Sequence, residues 1–282
     1  MMQLLPCYVD ELIRNALMED ITGIDITSDF LLSPDDCSDA YLVAKDSGIL
    51  CGMDIAARVF ALVGEGVTFT PKMQDGARIE KGDLLAEMHG NTRTLLKGER
   101  TALNLLQHLS GIATETARCV ALVEGTNASI ADTRKTAPGL RALQKYAVRV
   151  GGGKNHRFNL SDGAMLKDNH IDACGGITPA ITQLRKHVGH MVRIEVEVRT
   201  LEELKEALSA GADIIMLDNM DCNTMREAVA ITNGKALLEA SGGITHDTLR
   251  AVAQTGVNII SIGALTHSVK AFDISMKFHP KK

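Results

Sequence analysis

The chain has 282 residues, 45% of them apolar and 23% charged, with a formal net charge of −5, a balance typical of a globular chain and foreign to a disordered or fibrous one. Aromatics are 3% with no Trp, which argues against a stacking platform for single-stranded nucleic acid, and the negative charge provides no global field to draw DNA or an acidic membrane. The length allows one large or two medium domains with a sizeable buried core.

Six cysteines (Cys7, Cys37, Cys51, Cys119, Cys174 and Cys222) are dispersed, with no C-x-x-C pair or Cys/His cluster at zinc spacing. That pattern predicts idle thiols in a reducing cytosol. The opening MMQLLPCYVDELIRNALMED has no basic leader, and no apolar run reaches the ~18 residues of a membrane span. A cytoplasmic protein with no membrane partner is expected.

Residues 6–18 read as a short amphipathic helix, followed by strand-like AYLVAKDSGILCG (40–52) and VTFTPK (67–72). DGARIEKGDLLAEMHG (75–90) has a tight β-turn pattern, with Gly76 and Gly82 where a positive φ costs little. From 97 to 124 the apolar period becomes helical, with Leu103, Leu106, Leu109 and Ile112 on one stripe. A domain junction is expected within this helix, giving an α+β N-terminal domain over 1–109 and an α/β domain over 110–269.

Beyond residue 127 the chain is regular. Strands are predicted at SIADT (129–133), AMLKDN (164–169), RIEVEV (193–198), IIMLDN (214–219), ALLEAS (236–241) and IISIGA (259–264). The last four begin 21 to 23 residues apart, the length of a strand plus a helix. Between them Thr200 and Glu203 predict a capping box, with Leu201, Leu204 and Leu208 as a stripe and Gly211 as the stop. Thr245 opens a similar helix that Gly256 closes. Strands alternating with helices predict a parallel sheet. No G-x-G-x-x-G follows the first strand, and most strands end in polar residues: Asp132, Lys167 to Asn169, Glu197, Asp218 and Ser241. Both features favour an α/β barrel whose carboxyl strand ends converge on one site. Six strands are fewer than eight, which leaves either an incomplete barrel or further strands that the pattern does not show.

Charge is concentrated between Thr133 and Lys167, where eight Lys and Arg face the single acid Asp162, a local balance of +7. Arg141, Lys145 and Arg149, four apart on a helix, read as a solvated face opposite Leu140, Leu143, Ala147 and Val150. Arg134, Lys135, Arg157 and Lys167 lie at strand ends or beside glycines, where a barrel presents side chains to its ligand. In GGGKNHR (151–157) three glycines permit close approach of the backbone, and Asn155, His156 and Arg157 offer donors in a row. Arginine forks match carboxylate and phosphate, so a ligand with several anionic groups is expected. Glu195 and Glu197 share one strand face, and Asp218 holds the equivalent place on the next strand. The alternative for both glutamates is a structural ion pair with Lys167, more so for Glu195 than for Glu197, which lies nearer the strand end. Strand-end acids opposite a polyanion suggest Mg²⁺, held by a few carboxylates plus ligand phosphates. ASGGIT (240–245) and SIGALT (261–266) offer small residues and backbone N–H groups suited to phosphate. No Ser-His-Asp arrangement is present.

The strings DTRKTAPGLR, GGGKNHR, LKDNHI, EVEV, MLDNM, EASGGI and ISIGALTHSVKAFDISMKF, in this order, closely resemble the quinolinate phosphoribosyltransferase (carboxylating nicotinate-nucleotide pyrophosphorylase) family. KDSGILCGMDIAARVF and GERTALNLLQHLSGIATETAR resemble its N-terminal half. The resemblance implies formation of nicotinate mononucleotide, pyrophosphate and CO₂ from quinolinate and phosphoribosyl pyrophosphate, with Mg²⁺, as a step in NAD biosynthesis. It implies an open-faced α/β barrel, an α+β N-terminal domain rejoined by a C-terminal tail (270–282), and homodimers or assemblies of them with sites at the subunit interface. It assigns Arg134, His156, Arg157 and Lys167 to quinolinate, with Arg100 entering the partner's site. Lys135, Glu197 and Asp218 become catalytic and phosphoribosyl pyrophosphate-binding, Mg²⁺ being held mainly through substrate with Glu197 and Asp218 as candidate ligands. Ser241, Gly242, Gly243 and Gly263 would take the 5′-phosphate. EDITGIDIT (19–27) departs from the family's E-D-x-G-x-G-D-x-T, Thr22 and Ile24 standing where glycines are common. The rival readings are a molybdenum-transport-associated relative, a Schiff-base aldolase using Lys167, and a biotinyl carrier modified at Lys72.

Overall fold

The computed structural model describes residues 6–279. They form two compact units: one runs through Ala117 and includes Ala137–Gly152 and the chain from Thr266 onward, the other comprises Arg118–Thr136 and Gly153–Leu265. The strands are β1 (Cys37–Ala44), β2 (Gly48–Ile49), β3 (Thr68–Pro71), β4 (Arg78–Ile79), β5 (Leu84–Asn91), β6 (Ser129–Ala131), β7 (Ala164–Leu166), β8 (Ile194–Val198), β9 (Ile214–Asp218), β10 (Leu237–Ser241), β11 (Ile259–Ser261) and β12 (Ile274–Phe278).

In the first unit an antiparallel sheet runs β12-β1-β5-β3, so the last strand of the chain pairs with the first, Leu42 opposite Met276. Ala40, Leu42 and Ala44 are buried at alternate positions, the signature of a sheet with one wet face. The expected 40–52 strand is interrupted, because Ala44 and Gly48 bracket a turn before the short β2–β4 pair. Helix Pro6–Asp20 buries Val9, Ile13 and Leu17, the i, i+4, i+8 stripe that makes a helix amphipathic. Helix Met53–Val63 carries no strong start signal of its own. Asp75, from the tight-turn segment, accepts the N–H groups of Gly52 and Met53 at 2.9 Å each, which stands in for a local cap. The same carboxylate accepts the Tyr146 hydroxyl at 2.7 Å.

The helix expected from 97 to 124 spans Thr92–Leu122, and Leu103, Leu106, Leu109 and Ile112 are all buried. Helix Arg141–Val150 departs from expectation. Lys145 is 1% exposed, Gln144 is fully buried, Arg141 is half-buried and only Arg149 of the three cations is exposed. Four residues advance a helix about 40° beyond a full turn, so a row of cations at that spacing drifts around the axis instead of holding one solvated face. Gln144 accepts the Ala137 N–H at 2.9 Å and donates to the Thr266 carbonyl at 3.1 Å, with His108 Nε2 2.8 Å away. The departing segment at 19–27 is built without the glycines. Neither Thr22 nor Ile24 has a positive φ, and Asp25 accepts the N–H groups of Thr27 and Ser28 at 3.0 Å.

The second unit carries a six-stranded parallel sheet in the order β6-β11-β10-β9-β8-β7, all six strands falling within the expected segments. β6 and β7 are its edges, so the barrel is open-faced. Ile194, Val196 and Val198 are fully buried, as are Leu204 and Ala207 of helix Leu201–Ser209. Each of the Ile, Val and Leu side chains contributes about 1.5–3 kcal/mol on burial. Only half of the predicted capping box forms: Thr200 accepts the Glu203 N–H at 3.1 Å, while Glu203 accepts from Arg199 N at 2.6 Å. The opposite strand face carries Glu195 and Glu197, and the register runs Glu195–Ile214, Glu197–Met216, Met216–Glu239 and Asp218–Ser241.

Candidate active site

The site is built in the second unit, and its first element is the strand end at Ala131. Asp132, fully buried, accepts Asn155 Nδ2 at 2.6 Å and the His156 N–H at 2.9 Å. Lys154 bridges to Ala131 as a short parallel extension. The segment 154–157 is therefore pinned to the end of β6. Asn155 gives Asp132 a side-chain donor and His156 its backbone N–H, which fixes the position of Arg157 next in the chain. The glycines preceding it divide their tasks. A Cβ on Gly151 would lie 2.4 Å from the Ala113 carbonyl, so that glycine serves helix packing. Gly152 supplies the positive φ of the turn.

Arg134 and Lys135 follow Asp132 in a tight turn, with Lys135 N donating to Thr133 Oγ1 at 3.0 Å. Arg134 is half-buried and Lys135 exposed. Arg157 donates from Nη1 to the Gly163 carbonyl at 2.9 Å. Burial lowers its pKa, and the neighbouring Arg134 charge lowers it further, while Glu195 opposes both. Arg134 and Arg157 thus set two positive charges near each other, an arrangement whose forked donors suit a carboxylate or phosphate.

A cleft of about 370 Å³ opens here, lined by His156, Arg157, Arg193, Glu195 and Glu239 among others, and reaching Ile214 and Ile259 at the amino ends of β9 and β11. Glu239 is a residue that sequence reasoning missed. The available signal was its position two residues before Ser241, as Glu195 stands two before Glu197. His156 Nε2 is 3.0 Å from Glu195 Oε2 and 3.7 Å from Glu239 Oε1. Glu195 thus pairs with His156, and Lys167 pairs with Glu197 instead, Nζ to Oε2 being 3.8 Å.

Lys167, Glu197 and Asp218 make a second group at the carboxyl ends of β7, β8 and β9. Burial raises the Glu197 pKa; Lys167 offsets this, and Asp218 and Asp168 add to it. An excess of carboxylate oxygen at strand ends suits a hard cation. Glu197 and Asp218 belong to no set of three close ligating side chains among the described residues, so the chain alone gives Mg²⁺ no complete shell. Ser241, Gly242 and Gly243 follow on the next strand, where the Ser241 carbonyl accepts the Asn219 N–H at 2.9 Å. Asn219 has φ 54° and Gly242 φ 97°. A Cβ on Gly242 would lie 2.2 Å from Asn219 Oδ1, so Gly242 is required twice over, by φ and by space. Gly263 follows β11 by two residues. Arg100 is exposed on the long helix, in the first unit.

The quinolinate phosphoribosyl transferase N-terminal domain model matches residues 25–110 and the C-terminal domain model residues 112–277. The chain belongs to the quinolinate phosphoribosyl transferase family. It is 50% identical over 266 residues to a probable carboxylating nicotinate-nucleotide pyrophosphorylase of Bacillus subtilis, covering 94% of this chain and 92% of that one. It is 43% identical over 272 residues to the carboxylating nicotinate-nucleotide pyrophosphorylase of Mycobacterium leprae, covering 94% and 95%. Among solved structures, NadC from Streptococcus pyogenes superposes with a TM-score of 0.95 at 42% identity, over 99% of this chain and 100% of that one. The family's α/β architecture is thus the one observed, and the aldolase and carrier readings fall away. No helix among the described residues is long and apolar enough to cross a membrane.

Proposed function

We propose that this chain transfers the phosphoribosyl group of phosphoribosyl pyrophosphate to quinolinate with loss of CO₂, giving nicotinate mononucleotide and pyrophosphate for NAD biosynthesis. The observation that carries the reading is the pair of half-buried guanidiniums, Arg134 and Arg157, the second of them lining a cleft, in a chain of net charge −5, within this family. With Lys167 they suit an acceptor bearing two carboxylates. His156 joins them as a polar wall of the same cleft.

In this reading Lys135 and the backbone at Ser241, Gly242, Gly243 and Gly263 hold the donor's phosphates. The C1–O bond of the ribose breaks and its electron pair leaves with pyrophosphate, while Glu197 and Asp218 balance the positive charge that develops on the sugar. The pyridine nitrogen supplies the pair for the new C–N bond. The ring, now cationic, accepts the electrons released as the adjacent C–CO₂ bond breaks, and a proton replaces the carboxylate. Mg²⁺, held by substrate phosphates together with Glu197 and Asp218, would supply charge neutralisation of the leaving pyrophosphate.

The chain is further proposed to work as a homodimer with Arg100 entering the partner's site. Ile24, Ile26, Phe30 and Leu31, each at least 67% exposed, form an apolar strip suited to a second copy. Mixing Arg100→Ala protein with Lys167→Ala protein, each nearly inactive, tests both proposals together. Subunit exchange should restore quinolinate turnover to roughly a quarter of wild type, the share of sites intact in a random mixture of C₂ dimers. A mixture no more active than its components would contradict the shared site.

A further inference from the structure

The His156, Glu195 and Glu239 cluster brings one ring nitrogen and an oxygen of each glutamate within 4.8 Å of one another. Its side chains are 12%, 5% and 2% exposed. Such a trio invites a metal, and the hydrogen bonds decide against one. His156 Nδ1 accepts the Arg157 N–H at 2.8 Å, so Nδ1 carries no proton and the ring proton sits on Nε2. That proton is donated to Glu195. Coordination through Nε2 would move the proton to Nδ1, where it would meet the Arg157 N–H head on.

One ring proton therefore serves two buried carboxyl groups. Glu195 Oε1 and Glu239 Oε1 are both buried without a hydrogen-bond partner. Two adjacent carboxylates out of water, with no cation bonded to both, do not ionise together. We propose that Glu239 is carried as a neutral carboxylic acid beside Glu195, and that it acts as a positioning residue for the acceptor cleft. The proton keeps a second negative charge away from Arg157 and leaves the His156 Nε2–H committed to Glu195. This role rests on the acceptor reading given above.

The groups facing Glu239 agree. Burial and the Glu195 charge push its carboxyl up to about 7, with Asp132 acting in the same direction and His156 and Ser261 against it. Its register neighbours on β9 and β11, Met216 and Ile259, do not titrate. The cleft rim adds Lys154, Arg157 and Arg193 against Asp162. The sign follows. A carboxyl whose proton is held more tightly in the folded state loses folded-state stability as pH rises, from the ordinary carboxylate range up to about 7, and above that the loss is complete.

The test compares wild type with Glu239→Gln, a neutral isostere, between about pH 6 and about pH 8.5, on either side of the about-7 midpoint. In wild type, KM for quinolinate should rise roughly tenfold across this range, the size of a one-unit coupling between ionising groups, with kcat following its own profile. Glu239→Gln should keep the low KM throughout. Glu195→Gln, which removes the like charge, should move the wild-type rise to lower pH. Thermal melting without substrate, extended down to about pH 4, should show Glu239→Gln matching wild type there and exceeding it from about pH 7 up to the alkaline end. A KM rise that persists in Glu239→Gln, or equal melting temperatures at the alkaline end, would overturn the proposal. Failure of the functional reading would look different: wild type would not turn over quinolinate at all, and the melting comparison would still decide the state of Glu239.

Discussion

Replacing Arg134 or Lys167 with alanine should lower kcat/KM for quinolinate by ~10²–10³ while the protein still folds, since removing one preorganised charge contact typically costs that much. The two residues follow the two edge strands of the parallel sheet, β6 and β7: Arg134 is half-buried with its charge felt by Arg157, and Lys167 has Nζ 3.8 Å from Glu197 Oε2. Each would bind a carboxylate in a partly desolvated setting, where a charge-assisted bond is about twice as strong as a neutral one. Arg134→Lys should recover only part of the loss, because an ammonium cannot make the forked contact. Neither side chain belongs to the apolar core, and Lys167 is 47% exposed, so melting temperatures should stay within a few degrees of wild type. Steady-state kinetics with quinolinate varied at saturating phosphoribosyl pyrophosphate checks this. Near-wild-type kinetics in both variants would remove the cationic cluster from the acceptor site.

Glu197→Gln and Asp218→Asn should fail in a different parameter. In the proposed mechanism their carboxylates balance the charge that develops on the ribose, so kcat should fall by ~10²–10³ with KM for quinolinate little changed. That role needs Glu197 ionised, and burial holds its pKa above the ordinary carboxylate range, with Lys167 opposing. Activity should therefore fall on the acid side as pH drops through this raised value, and the Glu197→Gln profile should lack that limb. Removing Lys167 takes away the opposing charge, so the acid limb of residual activity in Lys167→Ala should move to higher pH. An unchanged kcat in both acid variants would sink the assignment of Glu197 and Asp218 to the ribose.

The parallel sheet is legible in the sequence because each strand is a short β-branched run and each intervening helix has a start and a stop, as at Thr200 and Gly211. Arg134, Arg157, Lys167, Glu197 and Asp218 are legible because charged residues at parallel strand ends have few structural reasons to be there. Other features depend on long-range pairing. Helix Met53–Val63 takes its cap from Asp75, 22 residues away from Met53, which no local pattern reveals. Lys145 looks solvated because amphipathic spacing says that one face is buried without saying how wide that face is. The pinning of Asn155 and the His156 backbone by buried Asp132, more than 20 residues earlier, is likewise a contact no local pattern reveals. Glu239 sits in an apolar strand, and only the register, beside Met216 and facing Glu195 and His156, gives it a role.

The most direct measurement is a two-tube assay of purified protein with phosphoribosyl pyrophosphate and Mg²⁺, quinolinate in one tube and nicotinate in the other. Mass spectrometry follows nicotinate mononucleotide and a trap follows CO₂. Nicotinate mononucleotide and CO₂ in equal amounts from quinolinate, with no product from nicotinate, is the predicted result, because Arg134, Arg157 and Lys167 are proposed to hold two carboxylates. Product from nicotinate alone would contradict it and would leave the Arg134, Arg157 and Lys167 cluster without its second carboxylate.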